Sequence, residues 1–267
     1  MTQGKIYRWD KKGHGPTLIC LHGFVGSGSD FEILADHYPD HPTLIAPDFP
    51  DYAIDPEVTD DAWGTALSAL KKIIEIEASD APSVLLGYSM GGRIALQFAL
   101  KYPGLLKALV LVGATPGIAD HTDREKRVRA DEELATKVAN QLIDTFLESW
   151  LNQPLLNSQK RIPEPYRSKM WNMRRKHKVQ TIAQNLISLG TGSMQPAWKQ
   201  LPELHLPTFL ITGEEDKKFT QIAQQMMQSL PMAQHSTISE SGHAACFEQP
   251  TEVAKKLNHF LQNLPDL

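Results

Sequence analysis

Ser89 stands in the run Gly87-Tyr88-Ser89-Met90-Gly91-Gly92. The apolar residues 83–86 precede it, and the helix-compatible Arg93-Ile94-Ala95-Leu96-Gln97-Phe98-Ala99-Leu100 follows. A G-x-S-x-G turn between a strand and a helix is a nucleophile elbow. The turn is too tight for side chains beside the serine, which is why glycines flank it. Its hydroxyl then projects above the strand ends, at the positive end of the new helix. Without those flanking elements the motif is weak. A glycine-rich strand–helix turn with a capping serine is the alternative.

A serine hydroxyl needs a base, and the base needs an orienting group. In proteins with this elbow the chain order is serine, acid, histidine. Thr212-Gly213-Glu214-Glu215-Asp216 ends a late apolar run and supplies acids. Asp216 has the expected spacing from Gly213, and Glu215 is the fallback. Of ten histidines, His243 is the expected base, because Ser241-Gly242-His243 is a late turn before a final helix. Developing negative charge on oxygen needs preorganised donors. The backbone N–H groups of Phe24, in Leu21-His22-Gly23-Phe24, and of Met90 are the expected pair. His22 reads as structural, since it belongs to the turn itself.

These groups must be held by regular elements. Apolar runs at 17–21, 43–46, 83–87, 108–112 and 208–212 suit parallel strands covered on both faces. Helical patterns occupy about 59–78, 90–102, 217–230 and 250–264. Alternating strands and helices predict an α/β fold with a mainly parallel central sheet and helices on both faces. The alternation stops over about 118–200, where only helices are expected, broken at Pro154, Pro163 and Pro165. This predicts a core in two parts, 1–117 and 201–267, with 118–200 as a helical lid over the sheet.

Composition narrows the function classes. The 267 residues carry a formal net charge of −4 and are 41% hydrophobic, so neither disorder nor nucleic-acid binding is favoured. Residues 120–200 hold 14 Lys/Arg and 9 Asp/Glu, a net of +5. That excess is either an anion-facing surface or a solvated helical face. Only Cys20 and Cys246 are present, which disfavours a disulfide framework and suits a reducing compartment. No metal-ligand spacing occurs. The first residues, Met1-Thr2-Gln3-Gly4-Lys5, lack the apolar core of a signal peptide, and no apolar run is long enough to span a membrane. A cytoplasmic protein, monomeric by default, is expected.

Further segments are more specific. Arg93 follows the elbow glycines. Pro116-Gly117-Ile118, the arginine-bearing 124–129, and Trp150 before Gln153-Pro154-Leu155 come next. Gly190-Thr191-Gly192, Gln195-Pro196-Ala197-Trp198 and Gly213-Glu214-Glu215-Asp216-Lys217-Lys218-Phe219 complete the set. With these motifs the chain resembles the 2-succinyl-6-hydroxy-2,4-cyclohexadiene-1-carboxylate synthases of menaquinone biosynthesis (the MenH family), which have the α/β-hydrolase fold. The resemblance implies a cofactor-free lyase that eliminates pyruvate from 2-succinyl-5-enolpyruvyl-6-hydroxy-3-cyclohexene-1-carboxylate. It implies a small polycarboxylate substrate, bound by Tyr88, Arg93, Arg127, Trp150 and Arg174. Arg175 adjoins Arg174 and competes for that role. Arginine suits carboxylates because its planar fork binds them bidentately. The resemblance further implies that His243, oriented by Asp216, makes Ser89 basic enough to take a proton α to the succinyl ketone.

The chain departs from its relatives at Asp48-Phe49-Pro50-Asp51-Tyr52, where many carry D-x-P-G-H-G. Cys246 reads as a buried apolar thiol. Two other functions fit the same residues: a serine hydrolase of this fold, or a small-ligand binder without catalysis. The arginine set argues against the first, and the intact serine, acid and histidine against the second.

Overall fold

The computed structural model describes residues 5–10, 15–38, 42–50, 61–78 and 81–264. Among them the strands are β1 (Ile6–Trp9), β2 (Leu18–Leu21), β3 (Leu44–Pro47), β4 (Ser83–Tyr88), β5 (Leu106–Val112), β6 (Thr208–Gly213) and β7 (Ala233–Ile238). They form one sheet in the order β1-β3-β2-β4-β5-β6-β7. β1 runs antiparallel to β3, and every other pair is parallel. Every residue of β2, β3, β4 and β6 is buried, as parallel strands under two helical layers must be.

The helices are α1 (Glu32–His37), α2 (Ala62–Glu77), α3 (Met90–Lys101), α4 (His121–Ala139), α5 (Ile143–Leu151), α6 (Tyr166–Arg174), α7 (Val179–Leu189), α8 (Lys217–Met227), α9 (Ala245–Glu248) and α10 (Pro250–Gln262). Successive strand residues face opposite sides of a sheet, and the core divides accordingly. Ile19, Leu21, Leu85, Leu109 and Leu111 pack with Leu70 and Ile73 of α2, Ile94 and Phe98 of α3, and Met226 of α8. Leu18, Cys20, Val84, Leu86 and Val110 pack with Ile33 of α1, Phe247 of α9, and Val253 and Leu257 of α10. Both cysteines are free and buried here, and burial pushes both thiols well above their ordinary range.

Between β5 and β6 the described chain forms α4 to α7 with short 3-10 turns. Pro154 follows α5, and Pro163 and Pro165 precede α6. This segment has its own core. Ala135 and Val138 of α4 meet Phe146 and Leu147 of α5 and Ile182, Ala183 and Leu186 of α7. That cluster also takes in Val25, from the turn after β2, so the segment is anchored beside the strand ends that carry the site.

Several details differ from the expected elements, including the short helices α1 and α9, which lie outside the expected helical patterns. β1 was not anticipated; it is a four-residue antiparallel edge strand with only partial burial. The helix expected over 59–78 is observed over Ala62–Glu77, where Asp61 caps it by accepting from the N–H of Gly64 at 2.6 Å. Residues 59 and 60, Asp51 and Tyr52 of the atypical loop, and Met1 to Gly4 lie outside the described residues.

Candidate active site

The elbow is formed where β4 ends. Ser89 has φ 52° and ψ −107°, a conformation that costs a non-glycine residue about 1–3 kcal/mol and concentrates at functional sites. Its N–H is tied to the carbonyl of Val112 at 2.9 Å. The flanking glycines are needed for close approach. A Cβ on Gly87 would collide with the backbone of Gly91, and one on Gly91 with the carbonyl of Leu21.

Three side chains from three loops meet at this point. Ser89 Oγ lies 2.9 Å from Nε2 of His243, and Nδ1 of His243 lies 2.6 Å from Oδ2 of Asp216. An ionised carboxylate only accepts. Nδ1 therefore carries the ring proton, and Nε2 is left to accept from the serine. Asp216 also caps α8 by accepting from the N–H of Phe219 at 3.3 Å, so the helix fixes the acid. Glu215 points elsewhere: it is exposed and pairs with Arg161. Asp216, not Glu215, therefore faces the histidine.

His22 is structural, as its place in the turn implies. Its Nε2 accepts the N–H of Phe49 at 2.9 Å, leaving Nδ1 to donate to the carbonyl of Gly23 at 2.8 Å. Burial pushes its pKa down to about 4, so it stays neutral.

Ser89 and His243 open into a cavity of about 290 Å³, whose wall includes Phe24 and Met90. Phe24 follows β2. Met90 is the first residue of α3, and the first N–H groups of a helix have no intrahelical partner. Tyr88, Arg93, Arg127, Trp150 and Arg174 line the same cavity. All five substrate-binding candidates are thus brought together, along with the proposed oxyanion donors. Arg93 is buried and donates to the carbonyl of Leu189 at 2.8 Å. Burial, reinforced by the charge of Arg127, brings its pKa down to about 10. Arg127 donates its Nε–H to Asp131 at 2.8 Å, which leaves the ends of its fork for a ligand. Trp150 packs edge-on to Phe24, with ring centroids 5.1 Å apart. Arg174 is buried and donates to Gln159 Oε1 at 3.1 Å.

Other residues of the site carried no sequence signal strong enough to single out. Gln159, from the 3-10 turn Asn157–Arg161, contacts both Arg174 and, at 3.5 Å, the hydroxyl of Tyr88. Asp30 is a buried acid on the cavity wall, and burial pushes its carboxyl up to about 6. Trp198, in the segment Gln195-Pro196-Ala197-Trp198, lines the cavity and donates to the carbonyl of Gly117 at 2.9 Å. Among the described residues no cluster of three or more His, Cys, Asp or Glu could hold a metal ion. No described helix is long and apolar enough to cross a membrane.

An elbow serine above a parallel sheet, reached by a histidine and an acid from later loops, defines a class. The α/β-hydrolase fold family model matches residues 16–250, and the chain belongs to that family. Curated relatives narrow the position. A Bacillus subtilis (strain 168) protein, provisionally named 2-succinyl-6-hydroxy-2,4-cyclohexadiene-1-carboxylate synthase, is 32% identical over 92% of this chain and 90% of its own length. The synthase of that name from Photorhabdus laumondii is 30% identical over 92% of this chain and 85% of its own. The structure of MenH from S. aureus superposes with a TM-score of 0.87 at 28% identity, covering 98% of both chains. Within the α/β-hydrolase fold, the chain falls in the family of these synthases.

Proposed function

We propose that this protein is a lyase of menaquinone biosynthesis. It eliminates pyruvate from 2-succinyl-5-enolpyruvyl-6-hydroxy-3-cyclohexene-1-carboxylate to give 2-succinyl-6-hydroxy-2,4-cyclohexadiene-1-carboxylate. The observation that carries this reading is the pairing of a serine–histidine–aspartate chain with three arginines, Arg93, Arg127 and Arg174, on one cavity wall. Three guanidinium groups suit a substrate with several carboxylates and would be misplaced around a neutral ester.

The geometry supports the following chemistry. His243 accepts the hydroxyl proton of Ser89 while Asp216 holds the imidazolium that forms. Ser89 Oγ takes the proton from the carbon α to the succinyl ketone. The ketone oxygen becomes enolate-like and is held by the N–H groups of Phe24 and Met90. The electron pair then returns to form a ring double bond at the carbon that lost the proton, the existing ring double bond shifts one position along, and the C–O bond to the enolpyruvyl group at its far end breaks. The leaving enolate takes up a proton and departs as pyruvate. Atoms and electrons balance without a co-reactant. The helices over 118–200 act as a lid that brings Arg127, Trp150 and Arg174 to the substrate.

A coupled assay for pyruvate release, run on the parent and on Arg93→Ala and Arg127→Ala, tests this reading. Release by the parent and a raised KM in both variants are expected. Unchanged KM and kcat in both variants would refute the carboxylate clamp.

A further inference from the structure

His243 lies in the loop between β7 and α9, where neither a ladder nor a helix fixes the backbone. Yet the ring must present one nitrogen to Asp216 and the other to Ser89. One carboxylate holds the backbone N–H groups of both neighbouring residues, Gly242 and Ala244. Glu248 Oε2 accepts the N–H of Gly242 at 2.9 Å, and Oε1 accepts that of Ala244 at 3.2 Å.

Glu248 has no exposed side-chain surface. A buried carboxylate persists only when its lone pairs are occupied. The remaining partners come from the 3-10 turn Asn157–Arg161. The Ser158 hydroxyl donates to Oε1 at 2.8 Å, and Arg161 Nε lies 3.6 Å from Oε2. Gly242 is packed so closely on this turn that a Cβ there would collide with Ser158. Gly242, the residue preceding the histidine, is thus held between Glu248 and Ser158.

We infer that Glu248 is the positioning residue for His243, fixing the N–H groups of Gly242 and Ala244 on either side of it so that both ring nitrogens meet their partners. This rests on the serine–histidine–aspartate reading of the site. Glu248→Gln is the informative variant. Glutamine keeps the shape but has one accepting oxygen, so its amide nitrogen faces an N–H donor. The expected result is a folded protein whose kcat falls by about 100-fold, the scale of an ångström-sized misplacement at a reacting group. KM changes little, because the arginines are untouched. The far-downfield proton resonance of the Nδ1–H bond between His243 and Asp216 is lost or broadened.

A folded variant with near-parental kcat overturns the inference, and so does one whose kcat falls while that resonance is undisturbed. If Glu248→Gln does not fold, Ser158→Ala loosens the carboxylate from outside. A smaller fall in kcat with a broadened resonance is then expected, and an unchanged kcat overturns the inference. The resonance is read without substrate, so failure of the proposed reaction and failure of this inference are distinguishable.

Discussion

Arg174 and Arg175 are neighbours on the last turn of α6 and its cap, yet they face opposite ways. Arg174 is 8% exposed and lines the cavity, whereas Arg175 reaches outward to both oxygens of Asp144 at 2.7 Å. The pair makes an internal control. Arg174→Ala should lower kcat/KM by about 10- to 100-fold, the value of a hydrogen bond to a charged group. Arg175→Ala should leave it near the parental value, because an exposed ion pair contributes little. Steady-state kinetics on both variants decides the matter, and equal effects would contradict the assignment.

The acids Glu215 and Asp216 make a second such pair. Asp216→Asn removes the acceptor that fixes the histidine tautomer and should cut kcat by about 10⁴-fold, as in the serine protease triad. Glu215→Gln breaks only the exposed contact with Arg161 and should cost little. A loss of activity confined to the Glu215 variant would overturn the geometry.

Asp30 gives a stability prediction whose sign can be worked out. Its carboxyl titrates near 6 in the fold against 3.8 ordinarily. Between those values the fold keeps the proton and the unfolded chain has lost it. Stability attributable to Asp30 is therefore present below 3.8 and disappears as pH rises to about 6. Asp30→Asn abolishes that loss. The stability of the variant relative to the parent should climb by about 3 kcal/mol across this window and then flatten. Urea unfolding on both sides of the window measures it, and a difference independent of pH would contradict the prediction.

Gly91 sits against the carbonyl of Leu21 with no space for a Cβ. Gly91→Ala should cost about 1–3 kcal/mol, at the upper end because the neighbour is backbone. A lowered denaturation midpoint with an unchanged m-value is expected. An unchanged midpoint would show that the helix can move away from the strand.

How much of this was legible in the sequence depended on how local each signal is. The buried parallel strands β2 to β6 and the elbow were readable because buried strands are continuous apolar runs and the elbow needs its glycines. β1 was not, because Ile6-Tyr7-Arg8-Trp9 is short, half-exposed and paired antiparallel at an edge. Asp216 and Arg174 were named, but their competitors Glu215 and Arg175 could be separated only by seeing where each side chain points. Gln159 and Glu248 were out of reach. Their roles arise from contacts across 71 and 90 residues of chain, to Tyr88 and Ser158 respectively, and no local pattern records such meetings. The basic excess of 120–200 proved to be of two kinds. Lys126, Arg167 and Arg175 are spent on exposed ion pairs, while Arg127 and Arg174 line the cavity.

The central claim is that Ser89 moves a proton to release pyruvate. Its most direct test is pyruvate release from the enolpyruvyl cyclohexene substrate by the parent and by Ser89→Ala, with folding of both confirmed by circular dichroism. The account predicts steady release by the parent and a kcat lower by orders of magnitude in a folded variant. Near-parental release by Ser89→Ala would contradict it.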